Sequence, residues 1–195
     1  RIARFLSDRP IRLFFAVQSA RYAVRHRRHG NIDLEVYHHP GHGWNVERML
    51  DALAISLDYY QAHFGPYQFG QARIAEFPGY MNFAKGSPNT IPYSETLGFI
   101  ADYRDPATLD YVTLNTAHEM AHQYWGNQLV PAGGPGAGLL TETLAQYSAL
   151  MVIRRRYGEE RARAALRIQR DSYLANRGAA AEEELPLVRA GGQRH

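Results

Sequence analysis

The sequence predicts an α+β fold, a small mixed sheet followed by helices, and three observations carry that prediction. Short runs rich in β-branched and aromatic residues crowd the stretch up to Ala101. Beyond Asp105 the apolar residues recur at helical rather than alternating spacing. Glycine and proline punctuate the boundaries, at Gly65-Pro66, Pro78-Gly79 and from Pro131 to Gly138.

In chain order, Leu13–Val17, Arg21–Arg27 and Ile32–Tyr37 read as strands, with His29-Gly30-Asn31 as the turn between the last two. His38, His39 and His42 follow beside Pro40, Gly41 and Gly43; no regular spacing fixes them, so a structural loop is expected there rather than a second metal site. Asn45 is placed as the cap of a helix from Val46 to about His63, with Met49, Leu50, Leu53, Leu57 and Tyr60 as its buried stripe and Phe64 to Tyr67 as its stop. Ala72–Phe77 is the next strand. Gly79 to Pro92 is a long loop, a feature that in compact domains is usually functional or disordered. Leu97–Ala101 reads as a short strand at the edge of a cleft. A helix then starts at Asp105-Pro106, where an acceptor side chain precedes a proline, and runs towards a stop at Gly126. Leu140, Leu144, Tyr147 and Met151 outline a second helix ending at Gly158, and Glu159–Asn176 a third closed by Gly178. One domain is expected over 1–178, strand-rich through 43, mixed over 44–104 and helical over 105–178. The remainder, 179–195, reads as a surface segment or a cut end, with an acidic run at Glu182–Glu184.

The chemistry concentrates in the first of those helices. His118, Glu119 and His122 spell H-E-x-x-H, and residues four apart on a helix rise one above the other on a single face. Two imidazoles so placed are two legs of a tetrahedral zinc site. Glu119, one position round the helix, can reach a water in the open position without ligating the metal, which is the place of a general base. A catalytic zinc needs a third protein ligand. Glu142 lies in the first turn of the next helix, beyond a Pro/Gly-rich loop that can reverse the chain, and is the candidate. From spacing alone a helix-start carboxylate favoured by the macrodipole is an equal reading of that residue.

The run His118-Glu119-Met-Ala-His122-Gln-Tyr-Trp125-Gly126-Asn127 resembles the signature of the aminopeptidase N-like gluzincins, which carry H-E-x-x-H, then W/F-G-N, then a glutamate ligand on the next helix. The resemblance implies a thermolysin-like catalytic domain, one Zn²⁺ held by His118, His122 and Glu142, and hydrolysis of a peptide bond with Glu119 as base. Most members have eighteen residues between the second histidine and that glutamate; nineteen separate His122 from Glu142 here, and Thr141-Glu142-Thr143 replaces the usual Asn-Glu-Gly. Both departures, with the following Thr143 to Leu150, resemble a branch built as peptidase modules into ABC-type transporter permeases of bacteria. Thr90 to Glu95 resembles the family's strand ending Tyr-x-Glu, so Tyr93, Glu95 and Gly98 are expected at the substrate. Counting back, Phe83-Ala84-Lys85-Gly86-Ser87 takes the place of the family's Gly-x-Met-Glu-Asn. The carboxylate that grips a substrate's free α-amino group is then missing, Lys85 would repel that group, and restriction to free N-termini is expected to relax. Glu76 and Glu95 are the carboxylates that could substitute. The family's oxyanion-stabilising tyrosine is expected beyond residue 195, with Tyr173 a weak replacement, so this chain is expected to be a poor enzyme on its own.

Composition bounds the alternatives. There is no cysteine, which excludes a disulfide framework and a thiolate site and leaves metal ligation to histidine and carboxylate. No apolar run approaches the roughly 18 residues a membrane span needs. The resemblance to the permease modules implies a soluble domain of a bacterial integral membrane protein, on the extracytoplasmic side. The first residue, Arg1 rather than Met, fits an excised piece. Residues 1–28 carry eight arginines against Asp8 alone, yet no compact basic helix or aromatic platform. A solvated strand face is expected there, not a nucleic-acid surface. The expected partner is a peptide substrate, with a membrane reached only through other parts of the parent protein. Two other readings stay open: a catalytically weak peptide-binding or gating module of a permease with a structural zinc, and a zinc hydrolase of non-peptide substrates.

Overall fold

A computed structural model describes residues 4, 6, 7, 9–11, 17–105, 107–179 and 185–189. Strand β1 (Ala23–His29) and strand β2 (Ile32–His38) form an antiparallel hairpin, closed by a two-residue turn with Gly30 at φ +58°. In β2 the side chains alternate, Ile32, Leu34 and Val36 buried and their neighbours half-buried, so one face of the sheet looks into the core. Helix α1 (Val46–Phe64) crosses over that face to strand β3 (Gln71–Phe77), which pairs parallel with β2. Strand β4 (Thr90–Ser94) pairs parallel with β3, giving a four-stranded mixed sheet in the order β1-β2-β3-β4. The fold is therefore mixed α+β.

The α1 stripe is buried as its periodicity requires, Met49, Leu50, Leu53, Leu57 and Tyr60 all being 0% exposed. Helix α1 lies between the sheet and helix α2 (Tyr111–Ala121). Helix α3 (Leu144–Tyr157) packs on α2, and helix α4 (Glu159–Ala179) packs on α3. Tyr60 links two layers, its hydroxyl donating to the Ala117 carbonyl at 2.8 Å. Among the described residues no helix is long and apolar enough to cross a membrane.

Several local expectations are corrected. Asn45 precedes α1 but makes no side-chain cap; its Nδ2 donates instead to the carbonyls of Gly98 at 2.6 Å and Ala101 at 2.8 Å, because a tertiary pair of acceptors is available to it. Leu97–Ala101 is not a strand. Glu95–Phe99 forms a π-helical turn in which Gly98 presses so close to Tyr93 and Met49 that a Cβ would come within 2.8 Å of both. The metal-motif helix begins at Tyr111, not at Asp105: Asp105 closes a local turn onto the Ala107 and Thr108 amides, while Asp110 caps α2. That helix ends at Ala121, ahead of Gly126, which at φ +111° belongs to the turn beyond. On α3 the buried residues are Ala145, Ser148, Ala149, Leu150, Val152 and Ile153, whereas Tyr147 is exposed and Met151 half-buried. Helix α4 continues through Gly178. The strand expected over Leu13–Val17 falls outside the described residues except for Val17, and the run Glu182–Glu184 lies outside them as well.

The arginines of β1 face the chain's own carboxylates. Arg25 and Arg27 pair with Glu47, Arg27 also with Asp51, and Arg28 with Asp33.

Candidate metal centre

The site begins with the capping of α2. Asp110 accepts from the Thr113 amide at 3.0 Å and from its hydroxyl at 2.6 Å, orienting a helix whose last turn holds His118 and whose C-cap is His122. Their rings stand nearly perpendicular, with centroids 4.8 Å apart. The chain then turns through Trp125 and Gly126 and returns along the glycine-rich loop to Leu139–Thr143, a π-helical turn that leads into α3. Glu142 sits in that turn. Nineteen residues separate His122 from Glu142, and the π turn carries the Glu142 carboxylate back to the histidines.

Three donor atoms converge. His118 Nε2 lies 3.2 Å from His122 Nε2, and Glu142 Oε2 lies 3.3 Å from the first and 3.4 Å from the second. Ligands about 2.0–2.1 Å from a tetrahedral ion are about 3.3–3.4 Å from one another, so this triangle has the dimensions of one face of a zinc tetrahedron. The far side of each ring supports the same assignment. His118 Nδ1 faces Gln146 Oε1 at 2.7 Å and His122 Nδ1 faces the Trp125 carbonyl at 3.1 Å. Both partners are acceptors, so each Nδ1 carries the proton and each Nε2 turns its lone pair towards the common point. Two lone pairs and a carboxylate oxygen so placed call for a cation. The residues present fit Zn²⁺.

Electrostatics follow from this convergence. When the two Nε2 atoms carry protons instead of facing a metal, hydrogen bonds from the His118 and His122 rings hold the Glu142 carboxyl far below its ordinary value. Burial pulls the His122 imidazole down, but Glu142 and the Trp125 carbonyl outweigh it and leave it raised. Burial pushes the Glu119 carboxyl up against the pull of His118, His122 and the Gly86 amide. Glu119 is only 9% exposed, yet it faces a cleft of about 740 Å³ that it shares with both histidines and Glu142.

The opposite wall is the segment from Phe83 to Pro88. It runs antiparallel along the outer edge of β4, with Ala84 bridged to Tyr93 and Ser87 to Thr90. Two side chains fasten it to the end of α2. Gln123 donates to the Ser87 carbonyl and accepts from the Asn89 amide, both at 2.9 Å; Asn127 donates to the Gly86 carbonyl at 3.0 Å and to the His122 carbonyl at 2.8 Å. Gly86 touches α2 itself: a Cβ there would lie 2.5 Å from the Glu119 carbonyl oxygen and 2.6 Å from His122 Cβ.

The structure thus brings His118, Glu119, His122 and Glu142 together. The other expected substrate residues lie elsewhere. Tyr93 is fully buried in the core, and Gly98 is buried against it. Glu95 lines no part of the cleft; it accepts from the Gly79 amide at 2.7 Å and joins a second cluster with His42 and Glu76. In that cluster His42 Nδ1 is 2.5 Å from Glu76 Oε1 and 3.7 Å from Glu95 Oε2, the uneven spacing of one hydrogen-bonded pair rather than of three ligands around one ion. His38 and His39 point to other partners, the His39 carbonyl and the Gly41 amide. Tyr173 lies on α4, outside the cleft lining. Sequence reasoning named Asn127 only as part of the signature run, without a role, and did not single out Gln123 or Gln146. Gln146 had a local signal, its position one helical turn beyond Glu142.

Comparison with known proteins adds one finding. Over 98 residues the chain is 29% identical to human endoplasmic reticulum aminopeptidase 1. That match covers 49% of the chain and 10% of the relative, so the chain corresponds to a small part of that protein's length. No family model matches the chain.

Proposed function

We propose that this domain is the metal-bearing part of a zinc-dependent peptidase of the aminopeptidase N-like gluzincin type, with a thermolysin-like arrangement of its site. The observation that carries the reading is the near-equilateral triangle of donor atoms with Glu119 beside it at the cleft. His118, His122 and Glu142 would hold one Zn²⁺, whose Lewis acidity, when bound, acts on the scissile carbonyl and on water in the open position. Glu119 removes a proton from the attacking water and delivers it to the leaving amine; its raised pKa brings it nearer the working range of a general acid–base group. The segment Phe83 to Ser87 spends alternate backbone groups on β4, with Lys85 N donating to the Pro92 carbonyl and Ser94 N to that of Phe83. Its outer edge suits an extended peptide, laid alongside as an added strand, at Ala84, since Gly86 already gives its carbonyl to Asn127 and its amide to Glu119.

Strict exopeptidase action is not part of the proposal. The carboxylate of the family's Gly-x-Met-Glu-Asn segment corresponds to Gly86, where the α2 backbone leaves no room for a side chain. The carboxylates lining the cleft, Glu119 and Glu142, are committed to catalysis and metal. The wider setting we propose is a bacterial ABC-type permease carrying this domain on its extracytoplasmic side.

The test is Glu119→Gln. The variant should bind one equivalent of zinc like the parent and lose about 10²–10⁴ in peptide hydrolysis. Undiminished turnover in that variant overturns the role of Glu119, and absence of zinc binding in the parent overturns the metal centre.

A further inference from the structure

We infer that Gln146 is the positioning residue of the metal centre, holding His118 in the tautomer that binds metal and keeping that support electrically neutral. The inference rests on the zinc reading above. It starts from the 2.7 Å contact between Gln146 Oε1 and His118 Nδ1, made by a half-buried side chain one turn along from Glu142. Helix α3 and its π turn therefore supply both a ligand and the support of a different ligand. The two histidines are not held alike. His122 leans on a backbone carbonyl, which no side-chain substitution removes, whereas His118 depends on a replaceable amide.

The choice of amide matters. An acceptor behind an imidazole fixes its tautomer and raises its basicity, and removing such a partner typically costs 10–100-fold in metal affinity. A carboxylate in the same place would raise basicity further and add a second negative charge beside Glu142. Glutamine fixes the tautomer without that charge. With zinc bound, the centre would keep the net charge of the ion and one carboxylate ligand, and so more of its pull on a substrate carbonyl.

The order of zinc affinity should then be Gln146→Glu tightest, the parent next, and Gln146→Leu weakest, the last by about 10–100-fold. Competition against a chromophoric zinc chelator with the full chain measures this without any peptide. In the zinc-free protein, nitrogen-detected NMR of the His118 ring should show the Nδ1–H form dominant in the parent and a mixed population in Gln146→Leu. Equal zinc affinity in all three proteins, or an unchanged tautomer in Gln146→Leu, overturns the inference and leaves the metal centre standing. If the parent itself binds no zinc, the zinc reading falls first. Gln146→Glu guards against a folding artefact, since a variant that binds zinc more tightly than the parent is folded at the site.

Discussion

Gly86→Ala tests the closeness of the two cleft walls. The added methyl would lie 2.5 Å from the Glu119 carbonyl oxygen and 2.6 Å from His122 Cβ, against ordinary contact distances of about 3.5–4.0 Å. Something must move by about 1 Å. The neighbours cannot swing aside, because one is backbone and the other is the Cβ of His122, the residue that caps α2. The segment cannot retreat freely either, being bridged to β4 and fastened by Gln123 and Asn127. Overpacking of this kind costs about 1–3 kcal/mol. In a domain of this size each kcal/mol lowers Tm by about 2–4 °C, so a fall of roughly 2–12 °C is expected by differential scanning calorimetry. A 1 Å shift beside Glu119 and His122 should also lower turnover by about 10²-fold even where zinc remains bound. A variant with parental Tm and parental turnover would refute the close approach on which the cleft geometry depends.

Two further predictions concern stability and specificity. Burial pushes the Asp110 carboxyl upward, but the hydroxyls of Thr113 and Tyr157, the Thr113 amide and Arg48 more than offset it and hold its pKa below the ordinary value. A depressed folded-state pKa contributes stability that is present above the unfolded value of about 3.9 and is lost as pH falls through the folded value. Asp110→Asn should therefore cost roughly 1.5–3 kcal/mol at pH 7 by urea denaturation, and the gap to the parent should close below about pH 4; a gap unchanged from pH 7 to pH 2.5 would rule out the charge as its source. Peptides with free and N-acetylated termini should be cleaved at rates within about tenfold of each other, since a gripping carboxylate would have contributed more than about 1.4 kcal/mol. A strong preference for the free amine would count against the missing anchor.

Particular elements show why some of the fold was legible and some was not. The α1 stripe could be read because large apolar residues at one helical period face one continuous core. The same reasoning found the buried face of α3 only in part, since Leu144 and Met151 are half-buried while Tyr147 is exposed. Where α3 packs closely against α2 and α4 the buried positions include small residues, Ala145, Ser148 and Ala149, which carry little hydrophobic signal, while the larger Leu140 and Tyr147 are exposed. Asn45 and Asp105 look alike as local caps, yet distant carbonyls claim the first and a turn claims the second. Leu97–Ala101 reads as a strand although the chain forms a π turn over Glu95–Phe99, because π turns have no sequence period to betray them.

The chemical vocabulary of the site was set by the sequence alone. With no cysteine available, two histidines four apart and a glutamate beside them define a metal-and-base pattern on any helix, because helical geometry is local and always the same. Whether Glu142 meets those histidines, whether Gly86 touches the helix that bears them, and whether Gln146 stands behind His118 were decided only by the tertiary structure. These pairs are separated by twenty residues or more, and their distances depend on how helices and a sheet edge pack, which no local period encodes.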